Sequence, residues 1–61
     1  MKDHPPYYRD VLIYYQRPDD KNTIYTVKAW LAVNDDLELI WTRSDNEWIV
    51  PNNWVIKWEM L

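Results

Sequence analysis

A chain of 61 residues with neither cysteine nor glycine has few ways to hold itself together. A domain this short buries only about 60% of the surface its unfolded form exposes, so its core is thin. Small domains usually add disulfides, a metal or a second copy. Without cysteine, disulfides and thiolate metal sites are excluded. One histidine, His4, leaves no His-based cluster. What remains is aromatic burial and self-association. The five Trp and five Tyr residues supply the first, since each can bury roughly 150–250 Å². The chain reads as a single small domain spanning 1–61, with no cofactor.

Along the chain, runs of β-branched, aromatic and leucine residues alternate with short polar clusters. Residues 1–9 read as an extended N-terminal arm, because Pro5 and Pro6 fix φ and restrict the residue before each. Val11 to Tyr15 is the first strand-like run. Gln16 to Asn22 reads as a loop around Pro18-Asp19-Asp20. Thr23 to Val33 is the longest run and ends at Asn34-Asp35-Asp36. Leu37 to Thr42 follows, then the turn Ser44-Asp45-Asn46. Glu47 to Val50 is short and ends at Pro51-Asn52-Asn53, and Trp54 to Met60 is last. This spacing predicts an all-β fold, a small antiparallel meander of about five strands that can curl into an SH3-like barrel. Without glycine, Asn and Asp must carry the turns, and three-residue loops are expected over tight two-residue ones.

A register follows from those turns. Val33 opposite Leu37 sets Leu31 against Leu39 and Ala29 against Trp41. Arg43 opposite Glu47 sets Trp41 against Ile49. Val50 opposite Trp54 sets Trp48 against Ile56 and Glu47 against Lys57, so that Arg43, Glu47 and Lys57 form a ladder of alternating charge. Both faces are then apolar. One carries Val27, Ala29, Leu31, Leu39, Trp41, Ile49 and Val55. The other carries Trp30, Ile40, Trp48, Val50, Trp54, Ile56 and Trp58. A sheet in water normally has one polar face, so the second needs a cover: the arm with Tyr7 and Tyr8, another copy, or a partner.

Catalytic constellations are lacking. Ser44 is the only serine and His4 the only histidine, and they read as a turn residue and an arm residue. Glu38, Glu47 and Glu59 read as solvent-facing strand acids paired with Arg43 and Lys57 rather than acid–base pairs. No Gly-rich loop can cradle phosphate. Asp19-Asp20 and Asp35-Asp36 offer too few oxygens for a hard cation and read as turn formers. The chain is therefore expected not to be an enzyme and to hold no metal.

Ten acids against seven bases give a net charge of −3, which argues against counterion-driven binding of nucleic acid. Trp and Tyr are enriched at binding hot spots, so Trp30, Trp48, Trp54, Trp58, Tyr7 and Tyr8 are the candidate protein interface. The alternative for the same tryptophans is core. The acidic turn Asp35-Asp36 is the candidate contact for a DNA-mimic variant. A single-stranded nucleic-acid platform would stack bases on the tryptophans beside Lys28, Arg43 and Lys57. A structural homo-oligomer would bury the second face against a copy. Pro5-Pro6-Tyr7-Tyr8 has the composition of a polyproline ligand but reads as a packed arm. No apolar run reaches membrane-spanning length, and the opening residues lack a secretory pattern, so the cytoplasm is the expected compartment.

Asp10-Val11-Leu12-Ile13-Tyr14, then Val27-Lys28-Ala29-Trp30, then Trp48, then Val55-Ile56-Lys57-Trp58-Glu59-Met60-Leu61 follow one another in this order. In that order they resemble a family of very short phage- and prophage-encoded proteins of unknown function with a Val-x-x-Trp-Met-Pro-Leu-like C-terminus. The chain departs from the family in its opening, its turns and its lack of a terminal Pro-Leu-Pro. The resemblance implies a phage accessory protein in the host cytoplasm, and with the acidic, aromatic surface it suggests a module that modulates or inhibits a host protein. It implies no catalytic residues.

Overall fold

In the first strand, β1 (Val11–Arg17), Val11, Ile13 and Tyr15 are buried while Leu12 and Tyr14 are half-buried. That period of two is what a strand with one inner face requires. The computed structural model describes residues 4–61. Within it the chain continues as β2 (Asp20–Val33), β3 (Leu39–Arg43), β4 (Ile49–Pro51), a single 3-10 turn (Asn52–Trp54) and β5 (Val55–Met60). All strand pairs are antiparallel, in one sheet of order β4-β3-β2-β1-β5. The all-β fold and the meander from β1 to β4 are as the sequence indicated. No helix among the described residues is long and apolar enough to cross a membrane.

The fourteen residues of β2 serve two ladders. Tyr25 to Ala29 pair with β1, and Ala29 to Val33 pair with β3 on the opposite edge. Ala29, fully buried, is where the ladders overlap. The halves β5-β1-β2 and β2-β3-β4 share one core of Val11, Ile13, Tyr15, Ala29, Leu31, Trp41 and Val50. A flat five-stranded sheet would be broad and thin, whereas the extents of 28 × 28 × 27 Å are those of a strongly curled one. The buried indole of Trp41 donates to Asn52 Oδ1 at 2.8 Å, which satisfies its only polar atom.

The sheet stays open. β4 and β5 are its edges, and the expected pairings of Val50 with Trp54, Trp48 with Ile56 and Glu47 with Lys57 do not form. Pro51 has no N–H to extend a ladder, and the 3-10 turn after it carries the chain to the far side of β1. There Met60, Glu59, Trp58 and Lys57 lie opposite Val11, Leu12, Ile13 and Tyr14.

Two other registers differ from expectation, with different consequences. Between β2 and β3 the loop is three residues long, as expected, but centred later: Leu37 N–H donates to the Asn34 carbonyl and Asn34 N–H to the Glu38 carbonyl. Asn34 fixes this choice by accepting from the backbone N–H of both Asp36 and Glu38 through Oδ1, each at 2.9 Å. Leu31 then faces Trp41 and Ala29 faces Arg43. The slip is even, so every side chain keeps its face. Between β3 and β4 the loop has one residue more than expected. Glu47 N–H donates to the Arg43 carbonyl and Arg43 N–H to the Trp48 carbonyl. This slip is odd and reverses β4: Val50, not Ile49, faces Trp41 and is buried.

The expected loop Gln16–Asn22 is mostly strand. Only Pro18 and Asp19 turn, and Arg17 pairs with Asp20. The ladder is broken there, with Gln16 set against Lys21 to Ile24; Gln16 Nε2 bridges the gap by donating to the Lys21 carbonyl at 2.7 Å. This irregularity is why the segment reads as polar loop. The arm folds back rather than running free. Pro5 is fully buried, and Tyr8 N–H donates to the Leu31 carbonyl at 2.8 Å, on the stretch of β2 that β1 leaves uncovered. Residues 1–3 of the expected arm lie outside the described residues.

With no glycine in the chain, three of the described residues take positive φ: Tyr8 at 61°, Leu37 at 63° and Glu47 at 60°. The left-handed region costs a side-chain-bearing residue about 1–2 kcal/mol. Leu37 is 83% exposed, so its side chain contributes little packing in return. Leu37→Gly is therefore expected to raise stability by roughly 0.5–1 kcal/mol, the relief being offset in part by added freedom of the unfolded chain. Asn34→Ala is expected to lower it by about 1–2 kcal/mol by removing the turn's acceptor. Urea unfolding of both variants checks these signs; a less stable Leu37→Gly would contradict the strain assigned to this turn.

Candidate functional site

Tyr15 ends the regular part of β1 directly opposite Tyr25 of β2, and the two rings stack at 5.2 Å and 22°. The 3-10 turn brings Trp54 against Tyr15 as well, stacked at 6.4 Å and 23°. All three rings line a cleft of about 210 Å³. Further lining comes from the β3–β4 turn and β4. There Asn46 Oδ1 accepts the Trp48 N–H at 3.0 Å, and Trp48 stands 67% exposed at the rim beside Ile49. Buried Val50 forms part of the lining.

Arg43 ties Tyr15 to the β3–β4 turn. Its Nη1 donates to the Tyr15 hydroxyl at 3.3 Å, while Nε and Nη2 grip Asp45 at 3.1 and 2.7 Å. A bidentate pair of this kind fixes the plane of the guanidinium. Arg17 at the far rim pairs with Asp19 at 3.3 Å, and the Tyr25 hydroxyl donates to Asp20 at 3.2 Å. Each cation on the cleft faces a carboxylate, so the cleft is apolar in its walls and balanced in charge.

The sequence-predicted interface does not assemble as one stripe. Trp30 and Ile40 stay on the outer face, Trp30 opposite Thr42 and Ile40 opposite Pro51 and Ala32. Trp58 lies opposite Ile13 and packs on the core, as does Trp54. Val50 is core, and Trp48 sits on the inner side at the rim. The cause is the odd slip in β4 together with the route of β5. Of the candidates, the cleft gathers Trp48 and Trp54 only. Tyr7 and Tyr8 lie on the arm, 43% and 69% exposed, with Tyr7 packed on His4 at 5.1 Å between ring centres. Asp35 and Asp36 are exposed in the turn at the other end of β3.

The expected charge ladder is replaced by local pairs. Arg43 holds Asp45, and Lys57 lies 3.7 Å from Glu59 and 4.5 Å from the centre of the Tyr14 ring. The Tyr14 hydroxyl donates to Glu59 at 2.8 Å, and this bond to a carboxylate raises its pKa above the ordinary phenol value. Lys28 is across from Leu12 on the outer face and Arg43 across from Ala29 on the inner one, so the bases proposed for a nucleic-acid groove do not line one surface. Ser44 donates to Asp10 at 2.8 Å. Sequence reading missed Tyr15, Tyr25, Arg17 and Arg43 as cleft residues. The two tyrosines flank the Pro-Asp turn, but the broken ladder between them hid their pairing.

Compared with known proteins, the chain matches no family model, no curated protein and no solved structure.

Arg43 holds the Asp45 carboxyl below the usual carboxylate range. A depressed folded pKa contributes stability that is present above the ordinary value and lost as pH falls through the folded one. The wild type is therefore expected to lose this contribution as pH drops below about 4. Asp45→Asn lacks it at every pH, so the two thermal-unfolding curves should separate at neutral pH and converge in acid. Parallel curves through the carboxylate range would show that the Arg43–Asp45 clamp does not support the fold.

Proposed function

We propose that this chain is a non-enzymatic protein-binding module that docks its partner in the aromatic cleft, with Trp48 as the anchor. One observation carries this reading: Trp48 is held two-thirds exposed, by a turn in which Glu47 takes positive φ, on a cleft that the stacked rings of Tyr15, Tyr25 and Trp54 also line. Large apolar side chains left in water over a preformed cleft mark interaction sites, and Trp and Tyr dominate binding hot spots. The cleft, at about 210 Å³, is smaller than the roughly 300–1,000 Å³ of small-molecule pockets. It suits one or two side chains of a partner protein. Because its arginines are already paired with acids, the fitting side chains are uncharged and apolar. The resemblance to short phage-encoded proteins supports an accessory role in which the partner is a host protein whose activity is modulated or inhibited, in the host cytoplasm.

Trp48→Ala is expected to abolish capture of the partner from nuclease-treated host lysate at high salt. Its effect on stability should stay within about 0.5 kcal/mol, as for other surface changes. Capture that survives Trp48→Ala in full would remove the cleft from the interface. Capture that depends on nucleic acid would favour a nucleic-acid-binding barrel instead.

A further inference from the structure

The residues at the cleft are rich in unused hydrogen-bond donors. An indole N–H can donate but not accept, and among the described residues neither Trp48 nor Trp54 has an acceptor for it. The Tyr15 hydroxyl accepts from Arg43 at 3.3 Å, so its own hydrogen is still free to be donated. The Tyr25 hydroxyl donates to Asp20 and is left as an acceptor. Donors therefore predominate. A fitting occupant brings acceptors and few N–H groups, because an N–H left unpaired against apolar lining carries the full cost of its desolvation.

A proline-rich segment has that character. Each proline contributes a carbonyl and no N–H. In its left-handed extended helix there are no internal hydrogen bonds, so the carbonyls remain open to outside donors. The shape is set before binding, which reduces the ordering cost, and such segments dock in aromatic-lined grooves. An ammonium held against the same rings is disfavoured, since Arg17 and Arg43 line the cleft as well.

A second hollow adjoins the cleft. Arg17 and Trp54 also line an open region of about 410 Å³, together with Lys21 and Ile56. Arg17 is paired with Asp19. Lys21 is exposed and has no carboxylate partner among the described residues. A segment that occupies both regions meets neutral donors in one and an unpaired ammonium in the other.

We propose that the partner segment taken by the cleft is a proline-rich extended helix with a flanking carboxylate side chain, the prolines lying against Tyr15, Trp48 and Trp54 and the carboxylate facing Lys21. This inference rests on the reading of the cleft as the interface and names the chemistry of what it holds. The donor set selects for carbonyls without N–H groups, and Lys21 selects the sign of the flanking charge.

Nuclear magnetic resonance of the isotope-labelled full chain tests it, through the indole N–H signals of the tryptophans. The probe is an oligoproline peptide with blocked termini and an aspartate at each end. It is expected to move the Trp48 and Trp54 signals. Those of Trp30, on the outer face, and of Trp41, already bonded to Asn52, should stay in place. Alanine in place of the prolines restores N–H groups and should weaken binding by about tenfold or more. Lysine in place of the aspartates should weaken it by about threefold, and Lys21→Glu should reverse that preference. Trp48→Phe keeps a ring but removes the donor, and should weaken binding by about fivefold. A peptide that moves neither signal at millimolar concentration would overturn the proposal. So would an alanine peptide that binds as tightly, a Trp48→Phe variant that binds as the wild type does, or a charge preference that Lys21→Glu leaves unchanged. A single-stranded oligonucleotide that moves the same signals at lower concentration than the peptide would overturn it in favour of base stacking. Partner capture that is lost in Trp48→Ala while the peptide fails to bind would keep the cleft as the interface and overturn only the proline-rich ligand. Capture untouched by Trp48→Ala would instead overturn the reading of the cleft on which this inference rests.

Discussion

Both halves of this protein depend on one strand. β2 pairs with β1 along its first half and with β3 along its second, on opposite edges, and Ala29 marks the change. A side chain larger than a methyl group at that buried position would push the ladders apart. Because β2 is shared, the inner faces of both halves close on a single core, and Ile13 and Leu31 reach full burial in a chain too short for two cores. Removing one such side chain typically costs about 2–5 kcal/mol. The whole stability of a domain this size is about 3–9 kcal/mol at typical per-residue values.

Turns without glycine shape what the core can contain. At Leu37 and Glu47 the chain accepts positive φ on ordinary residues, and polar side chains hold each turn in place: Asn34 in the first, Asn46 and the Arg43–Asp45 clamp in the second. The second turn has a further effect. Its extra residue reverses β4, puts Val50 into the core and sets Trp48 at the rim. Local turn geometry thereby produces the exposed indole on which the functional reading rests. The cleft is a product of three turns: the Pro18-Asp19 turn, the β3–β4 turn and the 3-10 turn before β5.

How much was legible varied by feature. Strand runs were visible because β-branched and aromatic residues cluster between polar turns, and the inner positions Ala29, Leu31 and Trp41 were recognisable from alternation. The even slip at Asn34 left those assignments unharmed. The odd slip at Glu47 did not, and it misassigned Ile49, Val50 and Trp48 together. The cleft was half legible. Trp48 and Trp54 stood out as aromatics, but Tyr15 and Tyr25 meet across a broken ladder, and Arg43 turns back to Asp45 rather than across to Glu47. Pairings that depend on one loop residue, or on a side chain's choice between near neighbours, leave no periodic trace.

The sequence by itself determined the all-β class, the number of strands, the turn positions to within a residue or two, and reliance on aromatic burial in place of cross-links. These follow from composition and from a period of two, which are local properties. Only the tertiary structure decided that β5 leaves the meander for the far side of β1, that the sheet stays open, and which tryptophans face inward. Those outcomes turn on where Pro51 and the 3-10 turn send the chain and on the parity of one loop. Both are settled by long-range packing against Val11, Ile13 and Tyr15, contacts between residues that are distant in sequence.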